Sequence, residues 1–285
     1  MSDDRTETAG ATGVAVDVAD ALASVEAATP LVNALTNEVT VNDVANCTLY
    51  WGGLPVMSDD EREVADMVAG AQACLLNMGT VSETGEAAML AAGQAANDHG
   101  VPVVVDPVGV GATPTRDRVA ERLVTDLDVA VLKGNYGEVT ALAGEQGEVR
   151  GVESVGEYAD IAESAVALAR RTDSVVVASG EVDVVATADE AVEVRVGDPM
   201  MGRVVGTGCM LGATLATFAG SGLDPDRAAL AGTVAFGVAG EAAADGAFGE
   251  YHGPASYKIA FLDAVAGLSE TAPEGDGRVE RVVES

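Results

Sequence analysis

Residues 102–135 read PVVVDPVGVGATPTRDRVAERLVTDLDVAVLKGN, and the fold turns on this stretch. A short apolar run, Pro102 to Val105, stops at Asp106-Pro107. A loop with Gly109 and Gly111 follows, then a helical segment over Arg116 to Thr125. A second apolar run, Val129 to Leu132, stops at Lys133-Gly134-Asn135. Runs this short, without polar alternation, predict strands buried on both faces, and the helix between them predicts that they are parallel.

The pattern continues in both directions. Upstream, Val64, Met67, Val68 and Ala71 recur at helical spacing, and Ala73 to Leu76 is a strand closed by Asn77-Met78-Gly79. An alanine-rich helix spans Glu83 to His99 and ends at Gly100. Downstream, helices are expected to about Ala143 and over Val155 to Arg171, with a strand over Ser174 to Ala178 closed by Ser179-Gly180-Glu181. Val182 to Val196 reads as a hairpin around Asp189-Glu190, and the remainder as mostly helical. The fold class is therefore α/β, with a largely parallel central sheet flanked by helices. Four strand ends, at Asn77-Met78-Gly79, Asp106, Lys133-Gly134-Asn135 and Ser179-Gly180-Glu181, then share one edge. Ligands of open α/β sheets bind at that edge, where loops converge and helix N-termini point. The expected organisation is a flexible acidic N-terminus over 1–15, a single domain over 16–268 and a charged C-terminal tail over 269–285.

Charge excludes several functions. The 285 residues carry a net charge of −31, which leaves no basic surface for nucleic acid and repels anionic membranes. Acid is spread along the chain and interleaved with apolar residues, so the composition reads as a halophilic surface rather than disorder. There is no signal-like N-terminus and no apolar run long enough to span a membrane. Cys47, Cys74 and Cys209 are widely spaced and odd in number, which fits a reducing, cytoplasmic setting. His99 and His252 are the only histidines, so a histidine-rich metal site is excluded.

The chemistry concentrates at a few positions. Gly206-Thr207-Gly208-Cys209 precedes a helix of small apolar residues, a geometry in which backbone N–H groups and the helix dipole attract anionic charge. A turn of this kind taken alone is also an ordinary way to start a helix. Cys209 falls in the first helical turn: burial alone makes a cysteine an inert small hydrophobe, whereas a helix N-terminus shifts a thiol toward thiolate. Asp106 and Glu138 lie at adjacent strand-end loops, and such carboxylates suit Mg²⁺, which keeps part of its water shell. Lys133 is one of only two lysines, at a strand end where it suits a nucleotide phosphate.

These segments resemble the motifs of the hydroxyethylthiazole kinase family, in order and at family spacing, over about residues 25–265. Pro30-Leu31-Val32-Asn33-Ala34-Leu35-Thr36-Asn37, Asn42-Asp43-Val44-Ala45-Asn46 and Gly52-Gly53-Leu54-Pro55-Val56-Met57 are similar to its N-terminal signature. Asn77-Met78-Gly79-Thr80, Val105 to Thr113, Lys133-Gly134-Asn135 with Glu138, Ser179 to Asp183, Gly206 to Cys209 and Gly253 to Ser256 resemble its later motifs. The resemblance implies a three-layer ribokinase-like fold and ATP- and Mg²⁺-dependent phosphorylation of the alcohol of 5-(2-hydroxyethyl)-4-methylthiazole. It implies a homotrimer with sites between subunits. By motif position, Asn37, Met57 and Gly206 bind the thiazole, and Lys133, Ser179, Asn135 and Gly208 bind ATP. Asp106 and Glu138 serve the metal, and Cys209 is catalytic. Three positions depart from the family pattern: Lys133 stands for Arg, Ser179 for Thr, and Asn33 for His. The first two bear on nucleotide affinity and the third on the substrate side. Two other readings stay open at this point: a kinase or dehydratase of the same fold acting on another small substrate, and a binding protein without turnover.

Overall fold

The computed structural model describes residues 12–144, 149–150, 153–154, 160–268 and 278–284. The first half runs β1 (Thr12–Gly13), α1 (Val18–Ala28), β2 (Leu31–Leu35), α2 (Val41–Tyr50), β3 (Leu54–Val56), α3 (Val64–Ala69), β4 (Ala73–Asn77) and α4 (Glu83–His99). It continues β5 (Val103–Asp106), α5 (Pro114–Asp126), β6 (Val131–Asn135), α6 (Tyr136–Ala143), a short hairpin of β7 (Val149–Arg150) and β8 (Glu153–Ser154), and α7 (Ile161–Thr172). The last third is β9 (Val175–Ser179), β10 (Asp183–Ala186), β11 (Glu190–Val194), α8 (Thr207–Ala219), α9 (Pro225–Ala244), α10 (Pro254–Gly267) and β12 (Val279–Glu284).

Ten strands form one sheet in the order β1-β12-β11-β10-β9-β6-β5-β4-β2-β3. All neighbours from β3 to β9 are parallel, and all from β9 to β1 are antiparallel. The apolar runs explain why both faces are covered. Ala73 and Leu75 of β4 point into a core shared with α1, α2, α8, α9 and α10. Cys74 and Leu76 point into a second core with α3, α4, α5, α6 and α7. Side chains alternate along a strand, so a strand apolar at every position must be covered twice. The result is the expected three-layer arrangement.

The helix limits follow local chemistry. Ser82 accepts from the Gly85 N–H to start α4, and Gly100, at φ 68°, ends it. Thr113 caps α5, with Pro114 in its first turn. Every residue of α8 from Cys209 to Ala219 is buried, which accounts for a helix sequence without a polar face.

The ends of the chain correct the expected organisation. Val279–Glu284, read as part of a charged tail, is a strand between β1 and β11 in the central sheet. Pairing uses backbone N–H and C=O groups, so Glu280, Arg281 and Glu284 do not prevent it, and Val279 is fully buried. Likewise Thr12–Gly13, inside the segment read as a flexible terminus, pairs with β12. Residues 1–11 and 269–277 lie outside the described residues, as do residues 155–159 at the expected start of α7. β6 runs on through Lys133-Gly134-Asn135, which the sequence assigned to its end.

Candidate active site

The parallel strands deliver their polar C-terminal residues to one edge. Asn77 of β4 and Asp106 of β5 are register partners, as are Asn135 of β6 and Ser179 of β9. Asp106 is completely buried and Lys133 is 3% exposed, and Lys133 Nζ lies 3.1 Å from Asp106 Oδ1. Asn77 Nδ2 donates to the other oxygen, Oδ2, at 2.6 Å. Burial drives the Asp106 carboxyl upward, opposed by Lys133 and Asn77. Burial works against the Lys133 charge, but the carboxylates of Asp106 and Glu138 outweigh it, so the ammonium titrates above its ordinary value.

Glu138 is also buried, and burial raises its carboxyl. Its Oε1 accepts from the Gly109 N–H and its Oε2 from the Asn135 N–H, both at 2.7 Å. The Asn135 side chain accepts in return from the Glu138 N–H, closing a capping box at the start of α6. Glu138 therefore ties the loop after β5 to the loop after β6. Ser179 Oγ donates to the Gly134 carbonyl at 3.3 Å, on the far side of the same strand end.

The N-terminus of α8 lies over this group. Gly206 adopts φ 93°, and a Cβ there would come 2.7 Å from Thr40 Cγ2 at the head of α2, so only glycine fits. A Cβ on Gly208 would come 3.0 Å from Lys133 Nζ, so the ammonium sits directly beneath the helix's first turn. Asn37 reaches the same turn from β2: its Nδ2 is 2.8 Å from Thr40 Oγ1, 3.0 Å from Asn77 Oδ1 and 3.5 Å from Cys209 Sγ. Burial first, and then the charge of Asp106, pushes the Cys209 thiol up, with Lys133 opposing. The expected thiolate is thereby corrected. Lys133 does not offset burial and the Asp106 charge at this 9%-exposed site.

Met57 follows the edge strand β3 and packs, half-buried, on the α8-side core. Asn33 turns its buried amide to the residue after Met57, with Nδ2 donating to the Ser58 carbonyl and Oδ1 accepting the Ser58 N–H, both at 3.2 Å.

Two residues of this edge had no role in the sequence reading. Asn77 bridges Asn37 and Asp106, although its motif was recognised. Arg116 donates to the carbonyls of Met78 (2.8 Å), Gly79 (3.1 Å) and Val108, clamping the loops after β4 and β5 together. A scarce cation in the first turn of the helix after Gly109 and Gly111 was the available signal.

The solved structure of a ribokinase-like superfamily protein from Enterococcus faecalis superposes with a TM-score of 0.61 at 13% identity, covering 86% of this chain and 89% of that one. At that identity the likeness fixes the class of fold, that of the ribokinase-like proteins. The chain itself belongs to the hydroxyethylthiazole kinase family, whose sequence model matches residues 22–271. It is 65% identical over 272 residues to the hydroxyethylthiazole kinase of Natronomonas pharaonis, covering 94% of this chain and 97% of the relative. The hydroxyethylthiazole kinase protein of Pyrococcus horikoshii has a structure that superposes with a TM-score of 0.82 at 33% identity, covering 93% and 98% of the two chains.

Proposed function

We propose that the protein transfers the terminal phosphoryl group of ATP to the hydroxyl of 5-(2-hydroxyethyl)-4-methylthiazole, in thiamine salvage. One observation carries the residue-level reading: the first turn of α8 is met by Asn37 at Cys209 and by the Lys133 ammonium beneath Gly208. The alcohol is held on the Asn37, Met57 and Gly206 side. The nucleotide phosphates lie toward Lys133, Gly208, Asn135 and Ser179. Lys133 stays charged and opposes the phosphate charge, and the α8 amides hold the moving phosphoryl group. Phosphoryl transfer through a loose transition state depends on alignment and charge more than on early removal of the alcohol proton. A thiol that remains protonated therefore suffices at position 209, where it orients the hydroxyl.

Mg²⁺ is the expected metal. Among the described residues no three His, Cys, Asp or Glu side chains come together as a metal cage. Asp106 and Glu138 fit an ion held chiefly by phosphates and water, because they are buried hard-oxygen groups at this edge whose oxygens already accept protein hydrogen bonds. When bound with ATP, the ion neutralises phosphate charge.

The reading includes a homotrimer that closes the thiazole side. Val39 and Val205 are 75% exposed and Ile259 65%, and all three adjoin the Gly206 turn: Val39 precedes Thr40, Val205 precedes Gly206, and Ile259 follows Lys258, which pairs with Asp43 of α2 at 2.6 Å. Exposed apolar residues grouped at a site mouth favour coverage by a second chain. The three cysteines are free and buried, in keeping with a cytoplasmic setting.

The test is ATP turnover with the thiazole alcohol and Mg²⁺ in molar KCl, together with light scattering for mass. Thiazole phosphate formed in step with ADP is the expected result. A folded protein that binds ATP but yields no thiazole phosphate would sink the proposal and direct the search to another small alcohol.

A further inference from the structure

The loop leading into the Gly206 turn carries one more cation, Arg203, at the end of a short 3₁₀ turn, Met201–Arg203. The backbone on either side of it is fixed. Met201 and Val204 pack on the α8-side core, and the Thr207 hydroxyl lies 2.8 Å from the carbonyl oxygen of each. The Thr207 N–H also folds back to the Val204 carbonyl, closing a four-residue turn whose end Cα atoms lie within about 7 Å of each other. Arg203 therefore stands one residue before a turn that ends on the first residue of α8, and its side chain is exposed.

Among the described side chains, every other arginine and lysine meets a carboxylate or a carbonyl oxygen. Arg203 meets neither, in a chain of net charge −31. The acids nearest to hand are engaged: Asp198 of the same loop accepts from the Met200 N–H at 2.8 Å, and Asp43, beside Gly206, holds Lys258. α8 has no acidic residue in its first turn. The positive end of a helix disfavours a neighbouring cation and favours an anion. Arg203 nonetheless adds a second cation beside the end that Lys133 already underlies, and the exposed Gly208 leaves that turn open to a ligand.

We infer that Arg203 is a phosphate-binding residue whose guanidinium closes over the first turn of α8 onto the terminal phosphoryl group of ATP. This rests on the kinase reading above. Lys133 is already committed to Asp106 from beneath, whereas the unpaired guanidinium offers parallel N–H donors that match phosphate oxygens. It meets the charge of the phosphoryl group during transfer from the solvent side.

The test compares Arg203→Met and Arg203→Lys with wild type in molar KCl with Mg²⁺. ATP and ADP binding are titrated by calorimetry, beside steady-state kinetics, urea unfolding and light scattering. Arg203→Met should unfold as wild type does, because no protein group loses a partner. Its kcat should fall about a hundredfold and its affinity for ATP about tenfold, with ADP affinity and KM for the thiazole alcohol unchanged. Arg203→Lys should recover part of kcat, since it keeps the charge and loses the fork. An unchanged kcat in Arg203→Met would overturn the inference. Equal losses of ATP and ADP affinity would overturn it too, by moving the contact off the terminal phosphate. So would a fall in mass accompanying the kinetic loss, which would assign Arg203 to a carboxylate of a second copy of the chain. If wild type forms no thiazole phosphate, the kinase reading fails by itself, and the difference between ATP and ADP binding still decides whether Arg203 meets the terminal phosphate.

Discussion

At the C-terminal edge of the parallel strands, Asp106 and Glu138 are 0% and 2% exposed, and all four of their oxygens have protein partners. At the opposite edge, Asp128, Asp173, Asp189 and Asp226 line an open cavity of about 550 Å³, and every one of them is exposed. The residue type is the same and the physics is opposite. In a chain with 46 acidic residues, acidity alone locates nothing. What sets Asp106 and Glu138 apart from these four is burial among matched donors beside the Lys133 cation, where charge acts through a low dielectric. The rear cavity lies well apart from the first turn of α8 and has neither lysine at its wall.

The largest test of this contrast is Lys133→Met. It strands the Asp106 charge in the core, and losing one partner of a buried pair costs about 3–5 kcal/mol. Urea unfolding in molar KCl should show that loss, and turnover should fall by at least about a hundredfold as the phosphates lose their cation. A variant as stable as wild type would break the comparison, since Asp106 would then behave like the acids at the rear. Lys133→Arg separates charge from shape: it restores the family's usual residue and keeps the cation.

Gly208→Val comes next. Its side chain would enter the space above Lys133 Nζ, the far end of a flexible side chain, so the fold should survive with a loss of about 1–2 kcal/mol. Turnover should drop by about a hundredfold or more, because the amides of the α8 turn are no longer open to phosphate. A variant that unfolds would assign Gly208 to packing, whereas a folded, inactive protein assigns it to the anion pocket.

Cys209 sharpens the contrast on a smaller scale. Its thiol is pushed above the ordinary value, so kcat should carry no thiol inflection between about pH 6.5 and pH 8.5. Cys209→Asp should keep activity to within about tenfold, with Asn37 donating to the new carboxylate. A pH profile that bends near neutrality in wild type and straightens in Cys209→Ser would restore the thiolate and remove the positioning role.

Much of the site edge was legible in the sequence. Four apolar strands each ended in small or polar residues, and parallel order forces such ends together. The site contacts were not legible, because they depend on distances set by tertiary packing. Nothing in the residue order shows that Arg116 reaches three carbonyls of two loops, or that Asn33 spends its amide on Ser58. Cys209 misled for a related reason. Position at a helix N-terminus predicts a lowered thiol, whereas burial and a neighbouring carboxylate, which only the fold reveals, raise it. β12 was missed because charge density was read as solvation, while a sheet edge is completed by backbone groups common to all residues except proline.

The smallest effect belongs to the rear edge, and its smallness is the point. Asp128→Asn combined with Asp226→Asn removes two exposed charges from the wall of the rear cavity. Exposed charges contribute within about 0.5 kcal/mol in concentrated salt, where the screening length is a few ångströms. In molar KCl, stability should therefore match wild type, and kcat/KM should stay within about twofold. Lowering the salt should separate the two proteins. Self-repulsion grows as screening is lost, so the variant, with a less negative surface, should tolerate a lower KCl concentration before unfolding. Equal salt midpoints would mean that these acids contribute nothing to a self-repulsion of the surface. A fall in kcat/KM in molar KCl would show the rear cavity coupled to the front.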